Sequence, residues 1–431
     1  MVKDKSPRLS LLHEDQEVGV LSFDLESEIF QLHYAADWLK KGYPLSPHLP
    51  LFDEIPPENT RKFLENLLPE EDALKTLTRT LKIGSSNIFA LISAIGRDAT
   101  GAFTFASENE IIKTSFRTIL KAELTQRVQE RATKPIIIWD GKPRLSLAGV
   151  QEKLAVTIKN GDYGLGEGKL ASTHILKFSK KDQHLVLNEF FCMKLAEKTG
   201  LSVARVELIS LGERVLQVER FDRSWKSTMH VARKHVIDGC QALNAPPGFK
   251  YQRIVPVGAH KDEYLGPVNV TNLSKFNQHC IVPAKAQLQL LHWILFNLII
   301  GNTDNHGKNI SYFVNKKGFE IAPSYDLVNV TVYKDFHQEL AFQIGDTFDL
   351  EEVMAFQLAK MTQQMNLSAR FVASQLKKIC TGALKSLDDI IIEDLSHDEK
   401  TFMNDLHLNI KSRAEKFLKQ AGLMSSVAKS L

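Results

Sequence analysis

The sequence predicts an α+β protein of two lobes, strand-rich in its first half and helix-rich in its second. Three observations predict it. Short apolar, β-branched runs bounded by turn residues crowd residues 145–221. Past residue 280 the apolar residues recur at helical spacing. One long apolar run, Leu288–Ile300, reads as a buried helix stopped by Gly301. With no internal repeat, this order is the layout of a bilobal protein with a cleft between the lobes.

Composition narrows the class. The chain has 431 residues, 43% hydrophobic and 24% charged, enough for roughly two or three domains with real cores. Those fractions exclude a collagen, a coiled coil, a disulfide scaffold and a disordered chain. A net charge of +3, from 54 basic and 51 acidic residues, is too balanced to argue nucleic-acid binding from charge. The start, Met1 to Pro7, leads into no long apolar run, so no signal peptide is expected. Leu288–Ile300 is interrupted by His292 and Asn297 and is too short to span a membrane. Cys192, Cys240, Cys280 and Cys380 form no CxxC pair, so neither a cysteine zinc site nor a disulfide framework is expected. The expectation is a reducing cytoplasm and no membrane partner.

In chain order, Gln16–Asp24 and Ile29–Tyr34 read as strands, and Tyr43-Pro44-Leu45-Ser46-Pro47 as a loop. Arg61–Leu68 and Asp72–Leu81 read as short helices, and the apolar run Ile88–Ala94 ends at Gly96. Leu145–Leu147, Leu154–Ile158 and His174–Phe178 are expected strands, with a Gly-rich turn region over Gly161–Gly168. Leu187, Phe190, Phe191 and Leu195 set one face of a helix Leu187–Thr199, with Gly200 at its C′ position. Val203–Ile209 and Val215–Phe221 are two further strands. Ile310–Val314 and Phe319–Ala322 read as a hairpin around Asn315–Gly318. Val372, Leu376 and Ile379 mark one late helix; Leu406, Ile410, Ala414 and Leu418 mark another, closed by Gly422.

The segment richest in chemistry is Gly301–Asn309, a loop between a buried helix and a hairpin. It carries Asp304 and Asn309 in a D-x-x-x-x-N spacing, and Asp326 follows in Ser324-Tyr325-Asp326. Phosphoryl transfer needs a carboxylate to orient the attacking hydroxyl, and hard oxygen ligands for Mg²⁺. Asp304 fits the first role, and Asn309 and Asp326 the second. Taken singly, each is equally well a turn or N-cap residue; the ordered set after a buried helix is what favours catalysis. His306 fits a phosphate contact, a metal ligand or a structural role, with no second histidine at ligand spacing.

Upstream, Arg144–Leu147 runs through Ala148, Gly149, Val150, Gln151, Glu152 and Lys153 into the next strand. The backbone amides of such a turn can cradle phosphate, although a plain hairpin is the competing explanation. Neither a Walker A pattern nor G-x-G-x-x-G is present. Lys177 lies in an otherwise apolar strand, which a phosphate contact with Glu189 as orienting partner would explain; the alternative is an exposed strand face. The backbone of Val218–Arg223 fits either an adenine edge or an edge strand.

These segments resemble HipA-type serine/threonine kinase toxins. The resemblance rests on Ser146–Lys153, His174–Phe178, Val218–Arg223, Asn302–Asn309 and Ser324–Asp326, in that order. Trp38-Leu39, Pro44-Leu45-Ser46, Asn66–Pro69 and Ile95–Asp98 look like the family's extra N-terminal subdomain. The resemblance implies a bilobal protein-kinase-like fold. Its parts would be an N-terminal subdomain over 1–105, a nucleotide-binding part of the N-lobe over 106–243, and a helical C-lobe over 244–431. It implies ATP and Mg²⁺ as cofactors, Asp304 as catalytic base, and Asn309 and Asp326 as metal ligands. Ala148–Lys153 would form the phosphate loop, Lys177 would meet the phosphates, and Glu219, Arg220 and Phe221 would form the adenine hinge. His306, Gly307, Lys308 and Asn309, with Tyr325 and Asp326, would complete the nucleotide site. Ser146 matches the position that such kinases autophosphorylate to inactivate themselves. The implied partners are a HipB-like helix-turn-helix antitoxin, operator DNA through that complex, and a protein substrate such as an aminoacyl-tRNA synthetase. Val150, Asn305 and Gly307 depart from the family pattern without touching the proposed chemical groups. A small-molecule phosphotransferase of the same fold and a non-catalytic co-repressor are the alternatives.

Overall fold

The computed structural model describes residues 6–107, 110, 112–144, 151–180, 183–254, 264–336 and 338–430. The expected strand Leu145–Leu147, Ser146 and Ala148–Val150 lie outside them. The chain divides into two compact units. One comprises Met1–Ser179, Glu207–Ile237 and Phe313–Lys317; the other comprises Lys180–Val206, Asp238–Tyr312 and Gly318–Leu431.

The first unit opens with a four-stranded antiparallel sheet in the order Ile29–Tyr34, Gln16–Asp24, Arg8–His13 and Phe103–Ser107. Leu9, Leu11, Leu21, Phe30, Leu32, Phe103 and Phe105 are buried from its strands, the period-2 pattern of a sheet with one covered face, and Val18 is buried at the register shift opposite Leu11 and Leu12. The helices Pro57–Glu65, Glu71–Leu81 and Ile88–Ile95 accompany it. Asn87 caps the last of these by accepting from the Ala90 amide, and Gly96 ends it.

The unit's larger sheet has six strands, ordered Val206–Ser210, Arg214–Glu219, His174–Lys177, Lys153–Lys159, Asp162–Glu167 and Ser115–Thr118. Leu154, Val156, Leu165, Leu176 and Val215 join Ile119, Leu124, Val128 and Trp139 in its core. The region read as a Gly-rich turn, Gly161–Gly168, is instead mostly the strand Asp162–Glu167. Its glycines serve close approach. A Cβ on Gly164 would stand 2.4 Å from the Phe116 ring, and one on Gly166 would stand 1.9 Å from the Leu170 carbonyl oxygen.

The second unit is built on the helix Pro283–Ile300. Pro283 sits in its first turn, and Gly301, at φ +69°, closes it in the left-handed conformation. Leu290, Leu291, Ile294, Leu295 and Leu298 are buried around its circumference, as expected of a helix enclosed by others. It packs on Ala369–Ser386 and His397–Val427. The last helix starts with a capping box: Ser396 accepts from the Glu399 amide, and the Glu399 side chain accepts from the Ser396 amide. It does not end at Gly422 as the sequence pattern implied. It runs on to Val427 because Met424, one turn from Ala421, continues the buried stripe. Among the described residues no helix is long and apolar enough to cross a membrane.

Candidate active site

In the second unit the loop after Gly301 is held by side-chain amides. Asn297, which breaks the apolar run of the helix, is fully buried, and its carbonyl oxygen accepts from the Asn302 amide at 2.7 Å. The Asn302 carbonyl oxygen accepts from the backbone amide of Asp304 at 3.1 Å, and its amide nitrogen lies 3.4 Å from the Asp326 carbonyl oxygen. One buried asparagine therefore ties the Asp304 backbone to that of Asp326. Asp326 itself has φ +55°, a conformation few non-glycine residues hold without a reason.

Asn309 donates its side-chain amide to the Asp304 carbonyl at 2.9 Å. That bond occupies the amide nitrogen and leaves the side-chain oxygen as the end it does not engage. Tyr251, which the sequence reading did not single out, donates its hydroxyl to Asp304 Oδ1 at 2.5 Å. Its neighbours fix its place. The Gly307 amide donates to the Lys250 carbonyl, the Gln252 amide to the Ala341 carbonyl, and the Ala341 amide to the Thr303 carbonyl, at 2.9 to 3.0 Å. The Tyr251 ring stands edge-on to His306, with centroids 5.1 Å apart.

Burial, reinforced by Lys250 and Lys308, pushes the His306 imidazole down to about 3, so the ring is neutral at physiological pH. Its Nδ1 and the Asn305 side-chain oxygen are buried with no hydrogen-bond partner among the described residues. Lys308 pairs with Asp238 at 2.9 Å, and Asp238 also caps the short helix Gly239–Ala242. The Tyr325 hydroxyl donates to the Lys308 carbonyl at 2.7 Å and lies 2.7 Å from Ser311 Oγ; burial raises its pKa far beyond the usual phenol range. Gly307 leaves no room for a side chain, since a Cβ would stand 2.5 Å from Val268 Cγ1.

In the first unit, Lys177 lies directly opposite Lys153 on one side and Leu216 on the other. Directly opposed residues of an antiparallel pair project to the same face. Both lysines are buried, at 6% and 7% exposure. The strand register thus brings two buried lysines to one face of the sheet. Gln151 donates to the Phe178 carbonyl at 3.1 Å, and Glu152 pairs with Arg131 at 3.2 Å. At the other end of the sheet Glu219 stands opposite His174, and the Arg220 amide donates to the Thr173 carbonyl at 2.9 Å. Glu219 is exposed, Arg220 buried, and Phe221 half-buried and edge-on to Phe313.

Comparison with known proteins gives these residues a context. The profile described as the HipA-like C-terminal domain matches residues 145–387, and that of the HipA N-terminal domain matches 9–106. The serine/threonine-protein kinase toxin HipA of Shewanella oneidensis is 39% identical over 409 residues, 94% of each chain. The chain belongs to the HipA family. A putative kinase of Sinorhizobium fredii, Y4mE, is 32% identical over 359 residues, 80% of this chain and 83% of that one. The solved structure of Shewanella oneidensis HipA with HipB and its operator DNA matches with a TM-score of 0.89 at 38% identity. The match covers 97% of this chain and 99% of that one. The kinase-like α+β fold expected from the sequence is thus the fold of HipA, and the chain is a serine/threonine protein kinase.

Proposed function

We propose that the chain is the ATP-dependent kinase toxin of a toxin–antitoxin pair, with Asp304 as base and Asn309 and Asp326 as ligands of Mg²⁺. The observation that carries this reading is the Asn309 bond to the Asp304 backbone carbonyl, which ties a residue bearing a hard amide oxygen to the residue proposed as base. The partnerless His306 Nδ1 and Asn305 oxygen are buried polar atoms of the kind a bound nucleotide satisfies. The Lys153–Lys177 pair fits phosphate oxygens, and Glu219 to Phe221 an adenine edge. Bound Mg²⁺ would neutralise the triphosphate. Asp304 orients the acceptor hydroxyl and takes its proton as the oxygen bonds to the γ-phosphorus, while the bond to the departing ADP oxygen breaks. Gln151, Gly307, Lys308 and Tyr325 shape the loops around these groups.

Ser146 is the proposed site of self-modification, because a phosphoserine at the base of a phosphate loop carries about −1.5 to −2 charge and repels the nucleotide. A HipB-like antitoxin, operator DNA bound through it, a cytoplasmic setting and a protein substrate such as an aminoacyl-tRNA synthetase complete the proposal. The test is peptide mass spectrometry of the purified protein after incubation with Mg·ATP, beside Asp304→Gln. Phosphate on Ser146 in the parent protein alone supports the reading. Unmodified protein that takes up no phosphate, on itself or on any protein of a lysate, moves the assignment to a small-molecule phosphotransferase or a co-repressor.

A further inference from the structure

The N-terminal family domain grips the turn that follows the strand Arg214–Glu219. Asp222 is buried at the centre of that grip. Its carboxylate accepts from Arg220 at 3.0 and 2.9 Å and from Arg223 at 2.6 Å. Burial works against its charge, but the two guanidinium groups outweigh it and hold its pKa down at about 2. Arg223 reaches onward into the loop after Ile95, donating to the carbonyls of Gly101 and Ala99 at 3.0 and 3.1 Å. Asp98, from that loop, accepts from the Ser172 amide at 3.2 Å and stands 3.5 Å from Arg223 and 3.7 Å from Arg233. Arg233 donates back to the Arg97 carbonyl at 2.8 Å and to Thr104 at 2.9 Å. Arg220 closes the circuit on Ser172 Oγ at 2.9 Å.

Three arginines and two aspartates thus lie in one interior network, and the side chains of Arg220 and Arg223 are each only 1% exposed. Burying that much charge gains little stability over apolar packing, and such networks are best understood where they fix a geometry. The geometry fixed here is the turn Arg220–Arg223. With Arg220 and Asp222 turned inward, the network holds the course of the backbone that runs from Glu219 through Phe221.

We propose that the loop Arg97–Gly101 of the N-terminal domain is a positioning element of the nucleotide site, holding the 219–221 backbone in the form that receives a purine. This rests on the assignment of Glu219–Phe221 to adenine made above. It gives the N-terminal domain a task in the kinase reaction itself. Asp98 is the residue to change, because it is part-exposed and its loss leaves Arg223 and Arg233 short of a counter-charge.

The experiment uses the full chain, with Asp98→Ala, the isosteric Asp98→Asn, and Asp37→Asn as an exposed control in the same domain. ATP dissociation constants are measured with a fluorescent ATP analogue, KM and kcat by phosphate transfer, and amide exchange of residues 217–224 without nucleotide. Both Asp98 variants are expected to weaken ATP about tenfold. The loss should fall on KM rather than kcat, with faster exchange at 219–222 and unchanged exchange in Ala369–Ser386. Should Asp98→Ala not fold, Asp98→Asn carries the test. Asp98 variants that bind ATP as the parent does, with unaltered exchange at 219–222, overturn the proposal. A parent protein that binds no ATP overturns the adenine assignment and this proposal together.

Discussion

At the residue scale the site turns on how one carboxylate is aimed. The Tyr251 hydroxyl holds Oδ1 of Asp304, and Asn302 and Asn309 hold its backbone. In the role proposed for it, a carboxylate fixed in this way needs no reorganisation when a hydroxyl arrives. Asp304→Gln is predicted to lower kcat by at least about a hundredfold while ATP affinity stays within about twofold, since a base acts on the chemical step. Tyr251→Phe removes only the hydroxyl and leaves the ring against His306. It is predicted to lower kcat about tenfold with ATP affinity unchanged. Steady-state transfer assays beside equilibrium ATP binding separate the two quantities. Faster turnover in Tyr251→Phe would instead make the tyrosine an occupant that blocks the acceptor.

At the scale of elements, two glycines make opposite predictions. Gly422 lies exposed within the last helix, and a Cβ there meets nothing within 4 Å. Gly422→Ala should raise stability by about 0.5–1 kcal/mol, read as a shift of the denaturation midpoint with unchanged m-value. Gly307 is the reverse case. A side chain there meets the stiff Val268 and the Cys240 sulfur, so Gly307→Ala should destabilise by about 1–3 kcal/mol. Adding Val268→Ala should recover part of that loss, because it removes the methyl that the new Cβ meets. Independent, additive effects of the two substitutions would show that the clash relaxes elsewhere.

Over the whole molecule, acid sensitivity follows from histidines buried in their neutral form. His235 lies inside the first unit, donating from Nε2 to the Leu45 carbonyl at 2.7 Å. Burial is the main cause that lowers its pKa to about 4, with nearby His13 also lowering it, while the Leu45 bond and Asp222 raise it. An unfolded histidine titrates near 6.5, so the unfolded chain takes the proton first. The stabilising contribution is therefore complete above about pH 6.5 and is lost as pH falls from there toward 4. Between pH 7 and 5 this one group should remove about 2 kcal/mol from the first unit. Urea melts at both pH values, on the parent and on His235→Gln, check this. The variant should start less stable and lose less on acidification.

Much of this was legible in the sequence, for identifiable reasons. The helix ending at Gly301, the alternation in Gln16–Asp24 and the ordered Asp304, Asn309 and Asp326 are local patterns, set by periodicity, by a glycine's freedom at φ +69° and by spacing along the chain. The sequence by itself therefore determined many of the helices and strands, which family they resemble and which polar groups stand in one short loop. What it left ambiguous was decided by contacts between distant segments. Gly164 and Gly166 read as turn residues until Phe116 and Leu170 crowd them into a strand. Asn297 read as a flaw in an apolar helix until Asn302 folds back onto it. Tyr251 carried no signal, because its role exists only where a separate segment of the chain lays its hydroxyl on Asp304. Composition and periodicity act along the chain, but the aim of a carboxylate and the partners of a buried arginine are set across it, by packing that only the tertiary structure supplies.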